Sequence, residues 1–280
     1  MNLVKNSPVN HLVSIVSFTF ITVNLLIWLP LLALAAIVRV SLPFPIIKRC
    51  TFELVDRIYR VAVRLDGWWF TQVLGLRFLI DDEHEVLAKL KSCDRPLIIC
   101  NHQSWFDVFL LQTIISSNGP ILKFLIKAEL LWVPVLGWIC IVLNFPRLKR
   151  KGDKSSRQRD LHVAKSASTN LSSTPGALLL FPEGTRFSEA KHMRQKCNYR
   201  SLLQPKPGGF SVIRDSLTAP TMIVDISIRY PSNGDVCWRC MSGLIDKIYI
   251  KVTATSSSEV NDSIGWLNEC WAKKDVWLNR

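Results

Sequence analysis

Pro96-Leu97-Ile98-Ile99-Cys100-Asn101-His102-Gln103-Ser104-Trp105-Phe106-Asp107 is the stretch whose reading decides the fold. The run through Cys100 is short, apolar and rich in branched side chains, as expected of a strand buried on both faces. It stops at Asn101. A helix-like segment, Trp105–Ile115, begins just after Ser104, a residue suited to capping a helix. Strand, polar loop and helix in immediate succession form the unit from which α/β domains are built.

The same alternation extends outward along the chain. Further strands are expected at Arg77–Asp81, Ile121–Ile126, Ile139–Phe145, Ala177–Phe181, Met222–Arg229 and Lys247–Val252. Further helices are expected at Glu129–Leu136, Arg157–Leu171 and Ile264–Trp277. The expected fold class is α/β, with a mixed, largely parallel central sheet flanked by helices. An N-terminal membrane-binding helical segment precedes it. The expected division is residues 1–75 for the membrane anchor and amphipathic helix, and 76–280 for the α/β domain.

The anchor is read from residues 12–38, which hold no charged side chain. That run exceeds the roughly 20 residues needed to cross a bilayer. Pro30 divides it, so either a kinked span or a re-entrant bend is open. Thr51–Leu76 has a different pattern. Glu53, Asp56, Arg57, Arg60 and Arg64 share one arc of a helix, with apolar side chains elsewhere and Trp68 and Trp69 at its end. This suits a helix lying in the membrane interface, with packing against the domain as the alternative. Basic residues follow the apolar run (Arg39, Lys48, Arg49) far more than they precede it. The positive-inside tendency then puts the large C-terminal part on the cytoplasmic side of the membrane, which in a bacterium is the inner membrane.

The 280 residues carry 35 Lys and Arg against 22 Asp and Glu, a formal charge of +13, while 49% of residues are hydrophobic. Such a chain is too apolar for disorder and too charged for a polytopic transporter. Its charge fits a polyanion or an anionic membrane face, and the apolar N-terminal run favours the membrane over nucleic acid. The basic segment 147–160 holds Arg147, Lys149, Arg150, Lys151, Lys154, Arg157 and Arg159 against Asp153 and Asp160. It suits lipid headgroups or the phosphates of a coenzyme, or is a solvated loop. Eight scattered cysteines do not look like a disulfide scaffold, which points to a reducing compartment. Cys237 and Cys240 form one CxxC. No second ligand pair follows, and no metal is expected.

Two stretches carry chemistry. In Asn101–Asp107, His102 lies on the loop after a strand, and Asp107 can fold back to accept one imidazole N–H. That fixes the tautomer and leaves the other nitrogen as a base. Alone, this spacing is common by chance. In Phe181-Pro182-Glu183-Gly184-Thr185-Arg186-Phe187, a second loop follows a second apolar strand. Gly184 permits close backbone approach, Thr185 offers a hydroxyl, and Arg186 offers a planar cationic fork for a phosphate.

Together, NHxxxxD at 101–107 and FPEGTR at 181–186 resemble the signature of the glycerolipid acyltransferase family, which contains the 1-acylglycerol-3-phosphate acyltransferases. Lys127-Ala128-Glu129-Leu130, with Pro134 and Gly137, looks like the family's helix before its second block. Arg147 stands where the family carries a phosphate-binding arginine, without the usual glycine. Lys206-Pro207-Gly208-Gly209-Phe210 is similar to its Lys-x-x-Gly segment, and Pro220–Ile228 to its fourth block, with an altered Val-Pro-Val core. FPEGTRF and KPGGF look most like the branch holding lysophosphatidic and lysocardiolipin acyltransferases. The resemblance spans about 75–230. It implies direct transfer of a fatty acyl chain from acyl-CoA or acyl carrier protein, as co-substrate and without a further cofactor, to the sn-2 hydroxyl of lysophosphatidic acid. His102 is then the base and Asp107 its orienter, while Arg186, Thr185, Gly184, Glu183 and Arg147 form the acceptor-phosphate site. Glu183, an acid beside an anion, suits orienting Arg186 or a neighbouring amide.

Other readings are weaker. A Ser hydrolase would need a G-x-S-x-G elbow, and none is present. A non-catalytic lipid carrier does not need an intact His102/Asp107 pair. Within the family, glycerol 3-phosphate or another lysophospholipid is the alternative acceptor.

Overall fold

The computed structural model describes residues 8–42, 44–93, 95–117, 119–124, 126–127, 145, 147–148, 176–217, 220–231 and 234–280. The helices expected at Glu129–Leu136 and Arg157–Leu171 lie outside them, as do the strand expected at Ile139–Phe145 (save Phe145) and most of the basic run 147–160.

The chain opens with a helical hairpin. Helix α1, Pro8–Ser41, runs unbroken through Pro30 and is long and apolar enough, over Pro8–Arg39, to cross a membrane. No break or turn falls at Pro30. Helix α2, Pro45–Trp68, returns alongside it with proline in its first turn, where a missing N–H costs nothing. A wide π-type turn over Trp69–Val73 continues α2. Asn24 Nδ2 joins the two helices, donating to Ala62 O at 2.9 Å and to Asp66 Oδ1 at 2.8 Å.

The surface of α2 divides into three strips. Val55, Ile58, Tyr59, Ala62 and Val63 are buried, and Leu54, Val61, Leu65 and Trp68 form an exposed apolar stripe. The charged arc lies between these two, and part of it does not face a headgroup layer. Arg60 pairs with Asp56 at 2.6 Å and donates to Ser116 O and Gly119 O. Arg64 Nε donates to Ser117 O at 3.0 Å. These carbonyls end the helical stretch that starts at Phe106. Cations there offset unpaired helix-end carbonyls.

Among the described residues, the α/β part is a six-stranded sheet. Strands β1 (Arg77–Asp82), β2 (Leu97–Cys100), β3 (Leu122–Phe124), β6 (Ala177–Leu180), β7 (Met222–Arg229) and β8 (Lys247–Ser256) stand in the order β1-β8-β7-β2-β6-β3. Every neighbouring pair is parallel except β7 with β8. A separate parallel pair, β4 (Ile126–Lys127) and β5 (Arg147–Leu148), lies beside it. Helices α3 (Val86–Leu90), α4 (Phe106–Leu111, extended by a π-type turn over Gln112–Ser116), α5 (Glu189–Gln195), α6 (Pro207–Asp215), α7 (Val236–Met241) and α8 (Ser263–Leu278) are the other described α-helices.

Strand alternation sorts the core into two layers. Ile98, Cys100, Leu179, Val224, Ile226 and Ile228 face Phe70, Phe106, Leu110 and Met241. Leu97, Ile99, Leu178, Leu180 and Ile223 face Phe210, Ile213, Leu267 and Trp271 of α6 and α8. Because both faces of the central strands are covered, the sequence reads there as continuous apolar runs. The hairpin docks on the first layer. Ser14 Oγ donates to Trp238 O at 3.0 Å, Ser17 Oγ to Met241 O at 2.8 Å, and Phe20 stacks on Trp69 at 4.2 Å.

Candidate active site

β7, β2 and β6 are adjacent and parallel, so their carboxyl ends open on one edge of the sheet. The residues after these three strands are the two sequence motifs and Tyr230. Open α/β sheets place their sites at this edge.

Asn101 is the first residue off β2, and its side chain extends the ladder. Nδ2 donates to Ile228 O and Oδ1 accepts from Ile228 N, both at 2.9 Å. The chain then turns, and His102 Nδ1 lies 2.8 Å from Asp107 Oδ2. Gln103 N and Ser104 N donate to the same oxygen at 2.8 and 2.9 Å, and Tyr230 Oη donates to Oδ1 at 2.6 Å. A fully buried carboxyl surrounded by donors is an acceptor, so it favours the neutral tautomer with its proton on Nδ1, in which Nε2 is the basic nitrogen. The imidazole stacks on Phe181 at 4.0 Å, which fixes its plane. Ser104 Oγ accepts from Phe106 N at 3.1 Å, opening α4 so that Asp107 lies in its first turn.

The amides of Gln103 and Ser104 are committed to Asp107. They do not present donors to a developing oxyanion beside His102. Burial also raises the thiols of Cys100 and Cys240 well above their ordinary range, and that of Cys237 to about 11. Each feels the Asp107 charge as well, and each stays protonated. A cysteine nucleophile at this site is disfavoured on those grounds.

The second motif leaves β6 in a tight turn, Gly184 N donating to Phe181 O at 2.8 Å. Gly184 has φ +68°, in the left-handed region open to glycine. A Cβ there would come within 3.4 Å of Lys206 Nζ. The motifs join through the backbone, Phe187 N donating to His102 O at 2.7 Å. Thr185 Oγ1 accepts from Lys191 Nζ at 2.7 Å, and the same ammonium reaches Arg186 O at 2.9 Å. The Arg186 guanidinium lies 4.4 Å over the ring of the exposed Trp105, beside the histidine loop. A rim of Arg186, Lys191 and Lys206 around the Gly184 turn has the charge and donors that bind an anion.

Glu183 has a different position. It is fully buried, and its two oxygens accept from His102 N and Leu203 N, both at 3.4 Å. Burial outweighs those long bonds and lifts its carboxyl to about 8. Its position ties the two loops together, away from the surface an anion would touch. The sequence places Glu183 in the acceptor-phosphate site, orienting Arg186 or a neighbouring amide; in the structure both of its oxygens accept from backbone amides. Of Arg147 only the backbone is described, paired with Ile126 across β4 and β5.

Sequence reasoning missed Tyr230 and Lys191. Tyr230 had a signal, because alternation along β7 puts Ile226, Ile228 and residue 230 on one face, turned towards Phe106 of α4. Lys191 had none, since α5 is too short for a periodic pattern.

The chain superposes on the crystal structure of the 1-acyl-sn-glycerophosphate (LPA) acyltransferase PlsC from Thermotoga maritima with a TM-score of 0.59 at 14% identity, covering 96% of this chain and 95% of that one. That likeness establishes the fold. Among curated relatives, 1-acyl-sn-glycerol-3-phosphate acyltransferase 2 of Arabidopsis thaliana is 23% identical over 260 residues, 84% of this chain and 64% of its own length. Lysocardiolipin acyltransferase 1 of Danio rerio is 24% identical over 246 residues, 81% of this chain and 61% of its own. The chain thus spans less than two thirds of the length of these relatives. Residues 83–229, more than half of the chain, match the sequence profile of the acyltransferase family. The chain belongs to the acyltransferase family.

Proposed function

We propose that the protein transfers a fatty acyl group from an acyl thioester to the sn-2 hydroxyl of lysophosphatidic acid, giving phosphatidic acid at a membrane. The observation that carries this reading is the orientation of His102. With Nδ1 held by Asp107, Nε2 is the nitrogen left to take the acceptor's proton. The alkoxide oxygen then attacks the thioester carbonyl, the carbon–sulfur bond breaks, and the imidazolium returns the proton to the leaving thiolate. Nothing in this sequence passes through an acyl-enzyme. A positioned base contributes on the order of 10²–10⁴ in rate.

In this reading Arg186, Thr185, the Gly184 turn, Lys191 and Lys206 hold the acceptor phosphate, with Arg147 completing the set, and so fix the hydroxyl against Nε2. The acyl donor is acyl-CoA or acyl carrier protein, and no further cofactor takes part. Residues 1–75 anchor the protein, and 76–280 catalyse on the cytoplasmic face. The apolar helix α1 and the exposed stripe of α2 support the anchoring. The names of the Arabidopsis and Thermotoga relatives support lysophosphatidic acid as acceptor, and the zebrafish relative favours a lysophospholipid such as lysocardiolipin as the second reading.

The test is an assay of purified full-length protein with several lysolipid acceptors, acyl-CoA and acyl carrier protein. The expected result is label in phosphatidic acid that disappears in His102→Ala. Label confined to another lipid would replace the acceptor, and unchanged label in the variant would remove His102 from the chemistry.

A further inference from the structure

Asp107 is held from two sides. Its Oδ2 accepts from the imidazole and from two amides of its own loop, whereas Oδ1 accepts at 2.6 Å from Tyr230 Oη, 123 residues away in sequence. Tyr230 is buried (7% exposed) and follows β7 directly. Its backbone position is set two residues earlier, where Ile228 exchanges both hydrogen bonds with the Asn101 side chain. Asn101 precedes His102, so base, orienter and phenol share one rigid frame.

We propose that Tyr230 is a positioning residue of the His102/Asp107 dyad, whose hydroxyl draws carboxylate charge onto Oδ1 and so sets how strongly Oδ2 stabilises the imidazolium. The inference rests on the reading of His102 as the base. A hydrogen bond to the ionised form disperses its charge. Without that bond, more charge lies on Oδ2, the imidazolium is held more firmly, and His102 loses its proton only at higher pH. The phenol is the right donor for this work. Burial and the Asp107 charge hold its own ionisation well above the ordinary tyrosine value, so its proton stays on oxygen. Among the described residues, the other titratable groups that feel the Asp107 charge are Cys100 beside Asn101, Cys237 and Cys240 on α7, and Glu183 after β6; Arg186 and Asp235 act on Cys237, Arg239 on Cys240, Lys274 on Cys100 and Glu183, and Asp225 on Cys100. The three thiols are held protonated, and Glu183 faces the His102 amide, so none replaces the phenol at Oδ1.

The experiment reads His102 directly. The imidazole titration is followed by NMR in full-length protein with ¹³C-labelled histidine in detergent micelles, the His102 signal being the one lost in His102→Ala. Tyr230→Phe keeps the ring and removes the hydroxyl. Its expected effect is a rise of the His102 midpoint by about 0.5–1 pH unit. The acid limb of kcat/KM should move up by the same amount, with the acceptor KM unchanged. Site-specific 3-fluorotyrosine at position 230, a stronger donor that disturbs packing little, should move the midpoint down. An unchanged midpoint in either folded protein, or shifts of the opposite sign, would overturn the proposal. The midpoint is read without turnover, so its failure is distinct from failure of the acyl-transfer reading, which the labelled-lipid assay detects.

Discussion

At the scale of single residues, Asp107 and Glu183 are two buried carboxyls with different partners. Asp107 has three short bonds from N–H and O–H donors besides the imidazole, whereas Glu183 has two bonds of 3.4 Å. Asp107→Asn keeps the shape but turns an amide NH₂ towards one set of donors and disturbs the tautomer of His102. By comparison with other oriented histidines, kcat should fall by about 10³–10⁴ while the folded state persists. Steady-state kinetics beside circular dichroism check both halves. Glu183 gives a stability signature instead. Its carboxyl is lifted from 4.5 to about 8, so between those values the native chain holds a proton that the unfolded chain has released. Stability is therefore greatest below the lower value and declines as pH rises through about 8. Glu183→Gln, neutral at every pH, should flatten that slope in urea titrations run across this window. The pair His102 and Asp107 was legible in the sequence because both lie on one short loop. The third partner, Tyr230, was not, because its link to them exists only through the pairing of β7 with β2.

Elements were legible in proportion to their burial and length. Two of the strands beside the site, β2 and β6, are four-residue apolar runs with polar loops at their ends, and their positions are readable to within a residue or so. Helices α5 and α7, seven and six residues long, escaped because two turns or fewer carry no readable period. For α2 the charged arc was legible, but its direction was not. Arg60 and Arg64 are as polar on a carbonyl cluster as they would be on a headgroup, and only the position of the π-type turn after α4 distinguishes the two. How closely that turn approaches is measured by Gly67, where an added Cβ would stand 2.7 Å from Thr113 Cγ2. Thr113 is branched and hydrogen-bonded to Phe109 O, so it yields little. Gly67→Ala gains roughly 1 kcal/mol of helix propensity but overpacks at about 1–3 kcal/mol. A net loss of about 1 kcal/mol is expected in urea unfolding, and a gain would mean that α2 and α4 part easily.

At the scale of the whole molecule, the apolar surface of α1 and the stripe Leu54, Val61, Leu65 and Trp68 belong to one hairpin. Membranes carrying the protein should retain it through washes in high salt and alkaline carbonate and release it only to detergent. Release by salt would mean that charge alone holds it. That α1 is apolar enough to span was legible from composition, but its grip on the α/β part was not, because it depends on the hydroxyls of Ser14 and Ser17 meeting carbonyls of α7 more than two hundred residues away in sequence. That grip bears on how the chain can be handled. A leash can be cut and leave the animal whole, whereas α1 is a wall of the house. Removing it would strip the cover from Trp69, leave Asp66 without Asn24, and expose α7, whose thiols sense Asp107. A shortened, water-soluble version of the α/β part would therefore carry a new sticky face next to the candidate active site.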